Sequence, residues 1–189
     1  MPPRIVLIRH GESAHVLRER VDRDGFLRWL ETYDLAGLAE GEAPPSSLRS
    51  IEGHVVASDI RRAHESALML AANVVTSPLL REVELDVPRC GGLRLPMSLW
   101  GLVVGLRWKF GARHGLERAR EAARWLASLA EEHGTVVAVT HGAMRRLIAD
   151  ALVEDGWTCA YPEKRKWATW SAWTLVSAGS SLPAAARSR

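Results

Sequence analysis

Apolar residues along this chain fall into short unbroken runs that alternate with stripes of helical spacing. Residues 4–8 form a run rich in Ile, Val and Leu, which reads as a buried strand ending at Arg9, His10 and Gly11. After a Pro44-Pro45-Ser46-Ser47 break, residues 54–57 read as a second strand, with Ser58 or Asp59 placed to cap the following helix. That helix would carry Ile60, Ala63, Ala67, Leu70 and Val74 on one face. Residues 135–139 predict a third strand, ending at Thr140, His141 and Gly142. The stripe before it (Leu116, Ala119, Ala123, Leu126, Ala127, Ala130) predicts a helix closed by Gly134. Met144, Leu147, Ile148, Ala151 and Leu152 predict another helix after His141, residues 173–176 a closing strand, and residues 178–189 a flexible tail. Continuous apolar strands separated by helices predict an α/β fold: one domain over residues 1–177, with a mostly parallel central sheet and helices on both faces.

This order gives the polar residues a position. In open α/β sheets ligands bind beyond the C-terminal ends of the strands. Arg9 with His10, the stretch from Ser58 to Arg62, and His141 each stand just beyond such an end, so two histidines and two arginines converge on one crevice.

Composition changes the picture only in part. The 189 residues are 47% hydrophobic and 25% charged, which suits one domain with a real core. The formal net charge is +3, and only Lys109, Lys164 and Lys166 are lysines, so the positive charge is nearly all arginine. Arginine's planar fork matches phosphate and carboxylate. Lys164 and Lys166 near Trp157, Trp167, Trp170 and Trp173 are too sparse for a nucleic-acid face, and no nucleic-acid partner is expected. Cys90 and Cys159 lie far apart, against a disulfide framework or a Cys-based zinc site. The start of the chain lacks a signal-peptide pattern, and the apolar run at 99–106 is too short to span a bilayer. A cytoplasmic protein without a membrane span is expected.

A neutral imidazole is a good nucleophile, and passing a phosphoryl group through it splits a hard hydrolysis into two easier steps. Nearby arginine cations disfavour the imidazolium and keep the attacking nitrogen free. The transferred group spreads negative charge over its equatorial oxygens, so forks from Arg9 and Arg62 and a hydrogen bond from His141 would stabilise it.

The same residues carry a resemblance. Leu7-Ile8-Arg9-His10-Gly11-Glu12-Ser13 resembles the signature of the histidine phosphatase superfamily, the phosphoglycerate mutase-like proteins. Ser58-Asp59-Ile60-Arg61-Arg62-Ala63 resembles its second motif and Val139-Thr140-His141-Gly142 its third, in the right order over about residues 4–150. The resemblance implies a phosphoglycerate mutase-like fold and a phosphomonoesterase acting through a phosphohistidine on His10, with Arg9, Arg62 and His141 around the phosphoryl group. It implies Ser13 and Gly142 as substrate-binding positions, a small phosphorylated substrate, and neither a cofactor nor a metal. Arginines beside His10 would also repel a cation. The proton donor of the family is a glutamate in a Leu-x-Glu pattern, which Leu80-Arg81-Glu82 fits. Glu84 is the competitor, because an extended segment puts both glutamates on one face.

Departures from the family pattern bear on the substrate. Val16, beside His15, replaces a phosphate-contacting asparagine; Asp86-Val87-Pro88-Arg89 replaces a Gly-aromatic stretch; Gly115-Leu116-Glu117 stands for a Gly-Glu-Ser triplet. Met97–Phe110 is apolar with Gly101 and Gly105, and reads equally as a substrate lid or a partner surface. His15, His54, His64, His114 and His133 read as surface or capping residues, and Trp29, Trp100, Trp108 and Trp125 as packing. Rival activities on the same fold are a mutase, a protein phosphohistidine phosphatase and a catalytically silent binding module. Substrate identity and oligomeric state are not readable from the chain.

Overall fold

The computed structural model describes residues 2–15, 19–89, 91–110, 115–160 and 168–177, without the side chains of Lys109 and Phe110. Val16, Cys90, His114, Lys164, Lys166, Trp167 and the 178–189 tail lie outside the described residues. The elements in chain order are β1 (Arg4–Arg9), β2 (Arg20–Val21), α1 (Arg23–Leu35), α2 (Ser46–Arg49), β3 (His54–Ser58), α3 (Arg61–Leu68) and β4 (Val75–Ser77). After a 3₁₀ turn at Pro78–Leu80 come β5 (Leu95–Pro96), α4 (Met97–Phe110), α5 (Leu116–His133), β6 (Thr135–Thr140), α6 (Gly142–Glu154), β7 (Thr158–Ala160) and β8 (Ala172–Val176).

Six strands form one sheet in the order β4-β3-β6-β1-β8-β7. The first four run parallel, and β8 and β7 complete the sheet antiparallel. The architecture is therefore the expected single α/β domain with a mostly parallel sheet. Alternation sorts each strand between two cores. Ile5, Leu7, Val136 and Ala138 pack under α5 and α6, while Val6, Ile8, Val137 and Val139 pack under α3 on the other face. A smaller third core of Phe26, Val87, Leu95, Trp100 and Val104 ties α1 to α4, beside the two-stranded ribbon of β2 and β5.

Register aligns the strand ends. Arg9 pairs with Thr140, so His10 and His141 are the next residues of adjacent strands. Ser58 pairs with Ser77 on the other side, and the 3₁₀ turn then delivers Arg81 and Glu82 to the same edge.

The helix after β3 is shorter than its apolar stripe predicts, stopping at Leu68 before Leu70 and Val74. The chain must turn back there to lay the β-branched Val75 and Thr76 beside β3. Its expected cap also differs: Ile60 takes the N-cap position, with no side-chain cap. Asp59 is instead held by Arg81 through bonds of 2.7 and 2.6 Å, and Ser58 Oγ accepts from Ile60 N at 3.2 Å.

Candidate active site

His10 follows β1 and is buried, 2% exposed. Its Nδ1 lies 2.6 Å from the Gly11 carbonyl, which can only accept, so Nδ1 carries the proton. Nε2 is then the bare nitrogen, and it accepts from Arg62 Nε at 3.2 Å. The motif glycine has no room for a side chain: a Cβ on Gly11 would lie 2.5 Å from Glu42 Oε2 and 2.9 Å from the Trp170 ring. Gly11 N donates to Ser66 Oγ at 3.0 Å, which ties the motif to α3.

Arg62 stands in the first turn of α3 and is 1% exposed. Its guanidinium donates to the Tyr33 carbonyl at 2.7 Å, to Asp34 Oδ1 at 3.2 Å and to His141 Nδ1 at 3.3 Å, and lies 4.1 Å over the Tyr33 ring. Because that bond makes His141 Nδ1 an acceptor, its Nε2 carries the proton and donates to Ser58 Oγ at 3.0 Å. The two histidine rings meet edge to face at 5.0 Å.

Both histidines are held neutral. His10 is lowered to about 3, chiefly by burial, then by Arg62, with Arg9 and Arg145 adding and the Gly11 carbonyl opposing. His141 is lowered well below its ordinary value by burial, by His10 and by Arg62. Burial leads over the arginines, which the sequence reading made the main cause; a strand end under two helices excludes the water that would solvate an imidazolium.

Glu82 is brought to the cluster and engages the N-terminus of α6. Its carboxylate accepts from Met144 N at 3.0 Å and Ala143 N at 3.4 Å, three and two residues beyond His141. Thr140 Oγ1 donates to the Leu80 carbonyl at 2.7 Å and fixes the approach of that segment. Glu84 lines the same cavity as Glu82. Gly142 begins α6 directly after His141. Ser13 is buried nearby, its Oγ accepting from His15 N at 3.3 Å.

Several neighbours escaped the sequence reading. Tyr33 and Asp34 hold Arg62 from α1, with no motif to announce them. Arg145, 0% exposed, stands one turn after His141, a spacing that points to the same helix end. It donates to the Ser171 carbonyl and, at 2.9 Å, to Ser171 Oγ, and that carbonyl also accepts from Arg9 N at 3.0 Å. Burial and Arg9 lower Arg145 to about 10. Trp170 takes φ 57°, rare for a bulky residue, fixed by Trp170 N to the Arg9 carbonyl at 3.1 Å and Nε1 to Glu42 at 2.7 Å. His15 is half-buried: it stacks on Trp29 at 5.8 Å, and both line the cavity. His54 and His133 stack on each other at 4.2 Å, at the opposite end of the strands. Among the described residues no group of three or more His, Cys, Asp or Glu is placed to hold a metal, and no helix is long and apolar enough to cross a membrane.

No family model matches the sequence, and no curated protein is significantly similar to it. Solved structures do match over nearly the whole chain. A mycobacterial glucosyl-3-phosphoglycerate phosphatase, solved with VO3, is 19% identical with a TM-score of 0.57, covering 91% of this chain and 90% of its own. The product of an open reading frame of Mycobacterium tuberculosis is 20% identical with a TM-score of 0.56, covering 90% and 89%. A structure described as mycobacterial hydrolase 1 is 18% identical with a TM-score of 0.56, covering 92% and 89%. At such identities the likeness is one of fold: this chain has a phosphoglycerate mutase-like α/β fold, shared with these structures.

Proposed function

We propose that the protein is a phosphomonoesterase that needs no metal and works through a phosphohistidine on His10. The observation that carries this reading is the locked tautomer of His10, whose bare, buried Nε2 faces the Arg62 guanidinium. In the first step the Nε2 lone pair attacks phosphorus and the bond to the ester oxygen breaks. Glu82 gives its proton to the departing alkoxide. Arg62, Arg9 and His141 stabilise charge on the equatorial oxygens, with Arg62 Nε exchanging its bond to His10 for one to oxygen. In the second step Glu82 takes a proton from water, the hydroxide attacks phosphorus, and His10 leaves with its electron pair. Inorganic phosphate and the resting enzyme result. The bonds of Glu82 to the first turn of α6, directly after His141, favour it over Glu84 by its position beside the cluster. The arginines supply the positive charge that a metal ion would otherwise bring. The fold shared with a glucosyl-3-phosphoglycerate phosphatase agrees with this chemistry.

Incubation with a labelled phosphate ester is expected to leave an acid-labile, base-stable adduct on His10, lost in His10→Ala. Turnover is expected to survive exhaustive chelation. An adduct on another residue, or activity that chelation abolishes and one metal restores, would overturn the reading.

A further inference from the structure

A cavity of about 890 Å³ reaches the histidine cluster at Arg62 and Glu82 and extends between α1 and α4. Its size is that of a small-molecule site. One wall is aromatic: Phe26, Trp29 and Tyr33 fall on one face of α1, with ring centroids 5.7 and 4.8 Å apart in succession. The facing wall is Met97, Gly101, Val104 and Gly105 of α4. Gly101 and Gly105 are one turn apart, and a Cβ on either meets nothing within 4 Å. Glycine weakens a helix interior. Two of them at consecutive turns, with open space in front of both, keep a flat floor opposite the ring stack.

Three guanidiniums (Arg62, Arg81, Arg118) and three carboxyl groups (Asp34, Glu82, Glu84) line this space. Arg62 is held by Asp34 and the Tyr33 carbonyl and Arg81 by Asp59, while Arg118 donates to the neutral Arg81 and Glu82 carbonyls and its buried Nε has no partner among the described residues. Two of the three guanidiniums are thus matched by carboxylates, and Arg118 lies beside Glu82 at the end of the cavity nearest the histidine cluster, away from the aromatic wall. Polar groups of another kind are on offer. Trp29 Nε1 and His15 Nε2 are buried with no hydrogen-bond partner among the described residues, and a hydroxyl or carbonyl of the ligand would satisfy them.

We infer that the substrate is the phosphate ester of a bulky, flat alcohol, of the aryl or fused-ring class. Its ring slides between the α1 stack and the glycine floor of α4, and Trp29, Gly101 and Gly105 set that specificity. The inference rests on the phosphatase reading for the place of the phosphate but not for the shape of the cavity.

The test uses esters with the same kind of leaving oxygen: 2-(2-naphthyl)ethyl phosphate against ethyl phosphate, with 3-phosphoglycerate as the doubly charged comparison. The full chain is expected to prefer the naphthyl ester by about a hundredfold in kcat/KM, as burial of two rings allows. Gly105→Leu is expected to cut that preference at least tenfold, through KM more than kcat. Trp29→Ala, which empties the wall instead of filling the floor, is expected to cut it likewise. Equal turnover of the three esters, or a preference that neither variant changes, overturns the inference. Binding of the naphthyl ester to His10→Ala, followed by naphthyl fluorescence anisotropy, separates the two claims. Tenfold weaker binding on adding Gly105→Leu sustains the cavity assignment even where no ester is hydrolysed. A His10 adduct formed from 3-phosphoglycerate, with no naphthyl binding, sustains the phosphatase and overturns the inference.

Discussion

His10 holds two hydrogen bonds of opposite sense, one given to Gly11 O and one taken from Arg62, and Glu82 holds a third relation to the same centre through α6. These are separable by mutation. Glu82→Gln keeps an oxygen that can accept from Met144 N but has no proton to give an alkoxide. It is expected to slow hydrolysis of alkyl phosphates by 10²–10⁴-fold, roughly the usual contribution of a general acid, and of p-nitrophenyl phosphate far less. Steady-state turnover of both esters checks this, and the same selective loss in Glu84→Gln alone would move the role to Glu84. At this scale His10, His141, Arg9 and Arg62 were readable because each lies within a few residues of a strand end that the apolar runs mark. Asp34 and Tyr33 were not, since they meet Arg62 from 28 and 29 residues away and only the folded chain joins them. Ser58 was legible as a polar residue near a helix start, yet its hydroxyl is taken by His141, 83 residues on.

Among the elements, long runs and stripes declared themselves and short or doubly apolar pieces did not. β4 is three residues long with two of them exposed, so no apolar run reveals the strand that leads to Glu82. α1 has its aromatic residues at helical spacing, but Gly25 in the first turn and many charges blur the stripe. α4 is apolar on every side, which is why its sequence reads equally as lid or partner surface. The structure gives its two faces different surroundings: Trp100 and Val104 pack with Phe26 and Val87, while Leu99, Leu102 and Leu106 are exposed. Trp100 is the keystone of that small core, fully buried, stacked on Phe26 at 5.1 Å and donating to the Val21 carbonyl at 2.9 Å. Trp100→Ala is expected to cost about 3–5 kcal/mol of stability, the usual range for emptying a buried large aromatic site. Urea denaturation checks the value, and a loss below about 1 kcal/mol would mean that α4 is not anchored through this residue.

For the molecule as a whole, burying two neutral histidines among arginines has a cost that appears on acidification. In the unfolded chain each histidine takes up a proton near pH 6.5. In the folded chain His10 stays neutral down to about 3, and His141 is likewise held well below its ordinary value. Between those limits the unfolded state binds more protons than the folded state, so stability falls as pH falls through the window. One such histidine contributes a slope of up to about 1.4 kcal/mol per pH unit, and two about twice that. Asp59, lowered chiefly by its hydrogen bonds from Arg81, acts in the same direction as pH falls through the ordinary carboxylate range and below, and weakly because it is partly exposed. Urea unfolding is therefore expected to show stability falling steadily from about pH 6.5 to about 5, before the carboxylates take part. His10→Gln, which removes one titrating ring from the buried cluster, should flatten that slope by about 1.4 kcal/mol per pH unit. A wild-type curve level across this range would mean that water reaches the histidine pair. The strand-end cluster would then lack the dry surroundings on which a neutral nucleophile depends.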